Sequence, residues 1–423
     1  MALSGGRGPG SGTGAKAGWS GPFFGTVFAE SEVVQPKGGL WKKQGQGLKA
    51  CPGVHGPKRP AQDPEPVLSI NLQERTPTMS DLSSDSFLDE TVTYERTGRE
   101  HESPAASQTD DPMDPPIYPY KSKLTEFLWT LPQPLIALTA MSAVAIAITS
   151  EAMTPEALGG DADTLTAILL FSPLILLLGA ERIWTKKKAW LLNKKDFVED
   201  LFWIFTAAYI WLPLIGDYYR TPIKDAFEWI RDNSFIPFTL EATTIPGLIL
   251  CAVFVQTTTE FIYYWIHRWS HQYTLLWRTH ATHHHITKMS AMRSDRTHPT
   301  EFLALSISTP VILALFGATS EVVAVSAALG FCNGWITHSN LPMRSGVWNW
   351  IFTSPEHHQL HHSQNFDDSN TNFGCGVIIW DRIFGTFSDS SYIERCGSGT
   401  GRQLSLYEQY VLAFYPSKKL TRL

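Results

Sequence analysis

Cysteine is scarce in this chain, and none of it is arranged to hold a metal. The 423 residues contain five cysteines, Cys51, Cys251, Cys332, Cys375 and Cys396. No two form a C-x-x-C pair and the number is odd, which speaks against a disulfide framework or a thiolate zinc site. Cys251 and Cys332 lie inside apolar runs and read as small buried hydrophobes. Charge is sparse as well, at 17% of residues with a net value of −6, and no long basic stripe occurs. Nucleic acid is therefore excluded as an expected partner. No secretory leader is found either: Phe23 to Phe28 is too short and too weakly apolar to be one.

Proline and the long apolar runs divide the chain. The first 120 residues hold 14 of the 27 prolines and most of the Gly/Ser-rich text. We read residues 1–120 as a disordered low-complexity tail, acidic and Ser/Thr-rich from Asp81 to Asp111. Met79 and Met113 are alternative starts, under which the Gly-rich head is an extension and not a working domain. Beyond it, uncharged stretches of 24, 17, 16, 18, 19 and 16 residues lie between Glu126 and Glu151, Asp163 and Glu181, Asp200 and Asp217, Glu241 and Glu260, Glu301 and Glu321, and from Val322 to Thr337. A bilayer takes about 20 apolar residues to cross as a helix, so these predict a multi-span bundle. Residues 121–240 then hold N-terminal transmembrane helices, 241–390 a second, histidine-rich domain and 391–423 a C-terminal tail. The segment from Asp217 to Glu241 reads as an ordinary connecting helix, with an interfacial amphipathic helix as the alternative.

Basic residues orient the bundle. Lys121 and Lys123 precede the first span, acidic residues follow it, and Lys186, Lys187, Lys188, Lys194 and Lys195 follow the second. By the positive-inside rule the lysine run is cytoplasmic. Counting spans onward places His267, His298 and His338 on that same face. The expected fold is an all-α integral membrane protein with a cytoplasmic helical cap.

What the chain has in unusual supply is clustered histidine. Twelve of its 14 histidines fall between His267 and His362. His267 and His271 are spaced i, i+4. His280, His283 and His284 form an H-x-x-H-H unit, and His358, His361 and His362 form another. Residues three and four apart share a helix face, so each unit converges its imidazoles. Imidazole is the commonest protein metal ligand and binds as the neutral base. A zinc site needs three or four ligands, so eight or nine histidines favour two metals. Nitrogen donors alone do not select among iron, zinc, copper and nickel. His338, at the end of the sixth run, is a ninth candidate. His285, His298 and His357 read as supporting residues that orient ligands, and Glu260, two helical turns before His267, as a hydrogen-bond partner for one. Glu-x-x-His pairs, the mark of soluble carboxylate-bridged bundles, are missing from all three clusters.

These residues resemble the fatty acid hydroxylase / sterol desaturase superfamily of membrane proteins. The matching text runs from Glu260-Phe-Ile-Tyr-Tyr-Trp-Ile-His-Arg268 through the three histidine units, Asn372-Phe-Gly374 and Trp380-Asp-Arg-Ile-Phe-Gly-Thr386. It looks closest to the alkylglycerol monooxygenase-like and bacterial sterol desaturase-like branches. The resemblance implies a non-haem centre of two irons, with dioxygen as co-substrate and two electrons consumed. It implies hydroxylation or desaturation of a lipid: a sterol, a fatty acyl chain or an ether lipid. By position His267, His271, His280, His283, His284, His358, His361 and His362 resemble the ligands, with His338 as a further one. No His-Pro-Gly-Gly haem motif is present, so a separate electron donor is implied: a b-type cytochrome, a ferredoxin or a reductase. The membrane would be the endoplasmic reticulum in a eukaryote or the inner membrane in a bacterium. The alternative is a histidine-rich metal-binding or metal-transport protein. Its loops are expected to be repetitive and flexible, whereas Trp265, Trp269 and Trp277 interleave these clusters at helical spacing.

Overall fold

A backbone that leaves water has to pair its own N–H and C=O groups, and long apolar runs therefore fold as helices. The computed structural model describes residues 120–150, 162–234, 238–389, 393, 395–399 and 401–415. The expected N-terminal tail, the acidic stretch at 151–161 and Cys51 lie outside these residues. Among the described residues there is no strand, only two isolated bridges, Phe352 to Val377 and Ser363 to Cys396. In chain order the helices of six residues or more are α1 (Lys123–Leu128), α2 (Pro132–Thr149), α3 (Ala162–Ile183), α4 (Lys194–Asp232), α5 (Ile245–Gln272), α6 (Thr274–His284), α7 (Pro299–Leu305), α8 (Ser308–Leu315), α9 (Ser320–His338), α10 (Pro355–His361), α11 (Ile379–Phe384) and α12 (Leu406–Val411). Their starts are legible. Proline, whose missing N–H costs nothing in a first turn, opens α2, α5, α7 and α10, and Asn193 and Asp196 cap α4 reciprocally. The Asp217–Asp232 segment continues α4, which carries π-turns at Ala207–Trp211 and Gly216–Arg220.

Among the described residues three helices are long and apolar enough to cross a membrane: Lys123–Thr149, Lys194–Asp232 and Ile245–Gln272. The sequence predicts six, of which the second lies in α3, beside the stretch outside the described residues. The fifth run instead breaks at Ser306 into α7 and α8, which together make a shorter apolar helix. The sixth, α9, is largely buried, packed between α2 and α5. Small side chains let these helices approach closely: Ala137, Ala145, Ala252, Ala324 and Ala328 sit among Val144, Leu248, Val255, Val325 and Leu329. A second cluster nearer the histidines joins Leu174, Leu177, Met292, Cys332, Trp335 and Ile336.

Polar contacts define one end of the bundle. Glu181 at the end of α3 accepts from Ser290 Oγ, Ala291 N and Asn340 N at 2.8–2.9 Å. At the start of α4, Asp196 and Asp200 meet Arg293 at 3.0 and 3.2 Å, and Asp200 meets Arg296 at 2.6 Å. Gln133 at the start of α2 donates to the Thr353 carbonyl at 2.7 Å. The starts of α2, α4 and α7 and the ends of α3, α5 and α9 therefore share the histidine-bearing end. Two lysines counted toward orientation are not solvated surface charges. Lys186 and Lys187 are buried; Lys186 Nζ donates to Gln359 Oε1 and Lys187 Nζ to the Ile393 carbonyl, both at 2.6 Å. Burial pulls the Lys186 ammonium down to about 8, against the opposing charge of Glu356. These side chains tie α3 to the histidine cap.

Residues 401–415, placed by sequence in the C-terminal tail, also join that cap. Gln409 on α12 accepts from Trp203 Nε1 and Arg296 Nη1 at 3.2 and 3.1 Å, and its carbonyl accepts from Thr282 Oγ1 at 2.9 Å. Tyr410 stacks on Trp203 with ring centroids 4.4 Å apart.

Candidate metal centre

Four helical segments deliver the histidines. Tyr273 is extended, so α5 and α6 fold against each other, and His267 and His271 face His280 and His284. His338 is the last residue of α9, and α10 with its C-cap supplies His358, His361 and His362. The nine candidate histidines come together in two groups. His267, His271, His280, His284 and His361 form one, and His283, His338, His358 and His362 the other; within each group the nearest donor atoms all lie within 4.8 Å of one another. The groups adjoin: the His284 and His362 rings stack at 4.5 Å.

The tautomers decide what this arrangement is fit for. His267 Nδ1 donates to the Phe373 carbonyl at 2.5 Å and His361 Nδ1 to the Thr371 carbonyl at 2.7 Å. A carbonyl only accepts, so in the neutral ring each Nε2 is left with a bare lone pair. Those two Nε2 atoms face each other at 3.0 Å. His338 Nδ1 donates to the Gly334 carbonyl at 2.7 Å, and its Nε2 lies 3.0 Å from His358 Nε2 and 3.2 Å from His283 Nε2. Opposed lone pairs repel unless a cation lies between them. A metal with bonds of about 2.1 Å to nitrogen holds ligands at right angles about 3.0 Å apart, and the donor set fits one ion per group. Burial, reinforced by neighbouring imidazoles, holds His280, His284, His358, His361 and His362 well below the usual histidine range, so they are neutral bases at physiological pH.

One strap of chain anchors two of these rings. Asn372 adopts φ +55°, a left-handed conformation asparagine tolerates, and its side chain holds Ser388 N, Ser388 O and the His357 carbonyl at 2.8–3.2 Å. Asp381 on α11 accepts Phe373 N and Gly374 N at 2.8 Å and Thr386 Oγ1 at 2.6 Å. Gly374 has no room for a side chain, because a Cβ would run into the Val377 carbonyl and the Asp381 carboxylate. Gly374→Ala is expected to shift the Phe373 carbonyl off His267, destabilising the fold by about 1–3 kcal/mol as overpacking does. A lower melting temperature together with faster metal loss checks this; an unchanged melt refutes it.

The supporting residues sort differently from their sequence reading. Glu260 does not reach a histidine: it accepts from Gly376 N and Gln256 Nε2 at 3.0 and 2.9 Å, and so holds the strap from the other side. His285 bonds the Ala281 carbonyl and Ser398, and His357 bonds Ser354 and Asp389. His298 caps α7, accepting from Thr300 N and donating to the Tyr410 carbonyl. None of the three joins the nine. The carboxylate that does touch a cluster ring is Glu301, whose Oε1 lies 2.5 Å from His280 Nδ1. Nothing local in the sequence marks it, since 21 residues separate the pair.

Comparisons with known proteins follow the same stretch. Residues 252–386 match the fatty acid hydroxylase family. An ornithine lipid hydroxylase from Rhizobium tropici is 36% identical over 128 residues, 30% of this chain and 39% of that protein. Human alkylglycerol monooxygenase is 30% identical over 160 residues, 37% of this chain and 34% of the relative. A very-long-chain aldehyde decarbonylase from Arabidopsis thaliana is 26% identical over 157 residues, 34% of this chain and 24% of the relative. The chain thus spans well under half the length of these relatives. No solved structure matches.

Proposed function

We propose that this chain, a member of the fatty acid hydroxylase superfamily, is a multi-pass membrane oxidoreductase that uses two histidine-held irons and dioxygen to hydroxylate or desaturate a lipid. Its similarity to a lipid hydroxylase, a monooxygenase and an aldehyde decarbonylase supports a lipid-modifying oxidase. The family is iron-dependent. The carrying observation is the two groups of buried imidazoles with opposed lone pairs, Nε2 to Nε2 at 2.9–3.2 Å.

In this reading His267, His271, His280, His284 and His361 hold one iron, and His283, His338, His358 and His362 the other. When bound, the irons would supply dioxygen activation; in hydroxylation one oxygen atom enters a C–H bond and the other leaves as water, with two electrons from a separate donor protein and two protons from solvent. The chain's own residues do the rest. The Phe373, Thr371 and Gly334 carbonyls fix which nitrogen of three rings carries the proton. Burial of the rings excludes water from the centre and keeps the imidazoles neutral. The apolar helices bring a sterol, acyl chain or ether lipid alongside, and the donor docks at the histidine-bearing end, which we place on the cytoplasmic face. A metal-transport role fits less well, because ligands for cargo have to be reached and released, whereas eight of these nine histidines are buried.

The test is direct. Protein purified from iron-replete membranes should hold about two irons per chain. Host lipids with and without the gene should differ by a product heavier by one oxygen atom or lighter by two hydrogens. Less than about one metal per chain, or lipids that do not change, would overturn the proposal.

A further inference from the structure

The two histidine groups are not supported alike. In the five-histidine group three Nδ1 atoms have acceptors: His267 on the Phe373 carbonyl, His361 on the Thr371 carbonyl and His280 on the Glu301 carboxylate. In the four-histidine group His338 has the Gly334 carbonyl. The Nδ1 atoms of His358 and His362 are buried without a hydrogen-bond partner, and that of His283 faces the Arg296 carbonyl without a well-formed bond. An acceptor behind the distal nitrogen fixes a ring's tautomer and makes its other nitrogen a stronger donor to metal.

Glu301 offers something no carbonyl does, a group that carries a full negative charge when ionised. The residue is 2% exposed, its Oε2 is buried without a partner, and no lysine or arginine pairs with it among the described residues. A buried carboxylate without a counter-ion is costly. A cation on the far side of the His280 ring would offset that cost, so the ion and the carboxylate stabilise each other through one imidazole. The position of Glu301 is itself fixed: its N–H donates to the His298 carbonyl at 2.9 Å, and the His298 ring, held by Tyr410 and Thr300, caps the helix.

We infer that the two metal positions are unequal: the five-histidine position holds its ion the more tightly, and Glu301 is the positioning residue that makes it so. This rests on the two-metal reading above. Metal binding would then be sequential, the five-histidine position filling first and emptying last.

The test follows iron release from the full-length, iron-loaded protein in detergent after addition of excess EDTA. Wild type should lose its iron in two phases of equal amplitude whose rates differ at least about tenfold. Glu301→Gln keeps an acceptor and removes the charge; it should speed the slow phase by about 10- to 100-fold and leave the fast phase unchanged. His358→Ala should remove the fast phase and keep the slow one. A single phase in wild type carrying two irons, or an unchanged slow phase in Glu301→Gln, overturns the inference. If Glu301→Gln does not fold, the wild-type and His358→Ala traces still decide whether the positions differ and which releases first. Wild type that never loads two irons overturns the two-metal reading instead, and the inference with it.

Discussion

His361→Ala is expected to strip the five-histidine group of its metal and abolish turnover while leaving the protein in the membrane fraction. The reason is geometric. His361 Nε2 lies 3.0 Å from His267 Nε2, and its Nδ1 is tied to the Thr371 carbonyl, so it links α10 to the α5 histidines. Alanine removes a ligand and leaves that carbonyl without its donor, but it does not touch the apolar helices that hold the chain in a bilayer. His283→Ala should do the same to the other group. Metal per chain by elemental analysis and product by lipid mass spectrometry read the two losses separately. Full activity in either variant sinks the assignment of these residues to a metal centre.

Asp200→Ala should be the most destabilising change outside the histidines. Asp200 is fully buried and accepts from two guanidinium groups, Arg293 at 3.2 Å and Arg296 at 2.6 Å. Removing it leaves two buried cations short of their counter-charge, which costs about 3–5 kcal/mol. Because Arg296 also bonds Gln409 and Arg293 also bonds Asp196, the loss spreads to α12 and the start of α4. A large fall in melting temperature is expected, with metal lost as a consequence. Lys224→Ala breaks the more exposed pair to Glu228 at 3.3 Å and should cost no more than about 1 kcal/mol. Equal effects from the two variants would refute the assignment of stability to the buried network.

Helical spacing picks out eight of the nine histidines that the structure brings together, because three- and four-residue intervals are a local property of one helix face; His338 stands alone and is marked only by its place at the end of an apolar run. The same reading sets His285, His298 and His357 apart as supporting residues, but does not show what each of them holds. Those carry the same side chain in or beside the same runs, and what distinguishes them is a partner distant in sequence: Ser398, Tyr410 and Asp389. The pairing of Glu301 with His280 is hidden for the same reason, and the Phe373 carbonyl because a backbone group has no letter of its own. The Asn372-Phe-Gly and Trp380-to-Thr386 motifs were visible, but not their use as the strap behind His267 and its clamp. Apolar runs foretold the helices. Among the described residues three of the six runs form helices long and apolar enough to span, and a lysine in the sequence does not show the burial of Lys186 and Lys187.

The strap also sets an order of assembly. The bond from His267 to the Phe373 carbonyl joins residues 106 apart, and that from Gln409 to Trp203 joins residues 206 apart. During synthesis α5 and α6 therefore leave the ribosome with their histidines in place but unbraced, and they stay so until the chain has been made through Thr386 and α12. Iron that arrives before then meets rings free to turn. The centre closes last, as a step of maturation and not of elongation, and a chain cut short after His362 would carry every histidine and still lack the frame that aims them.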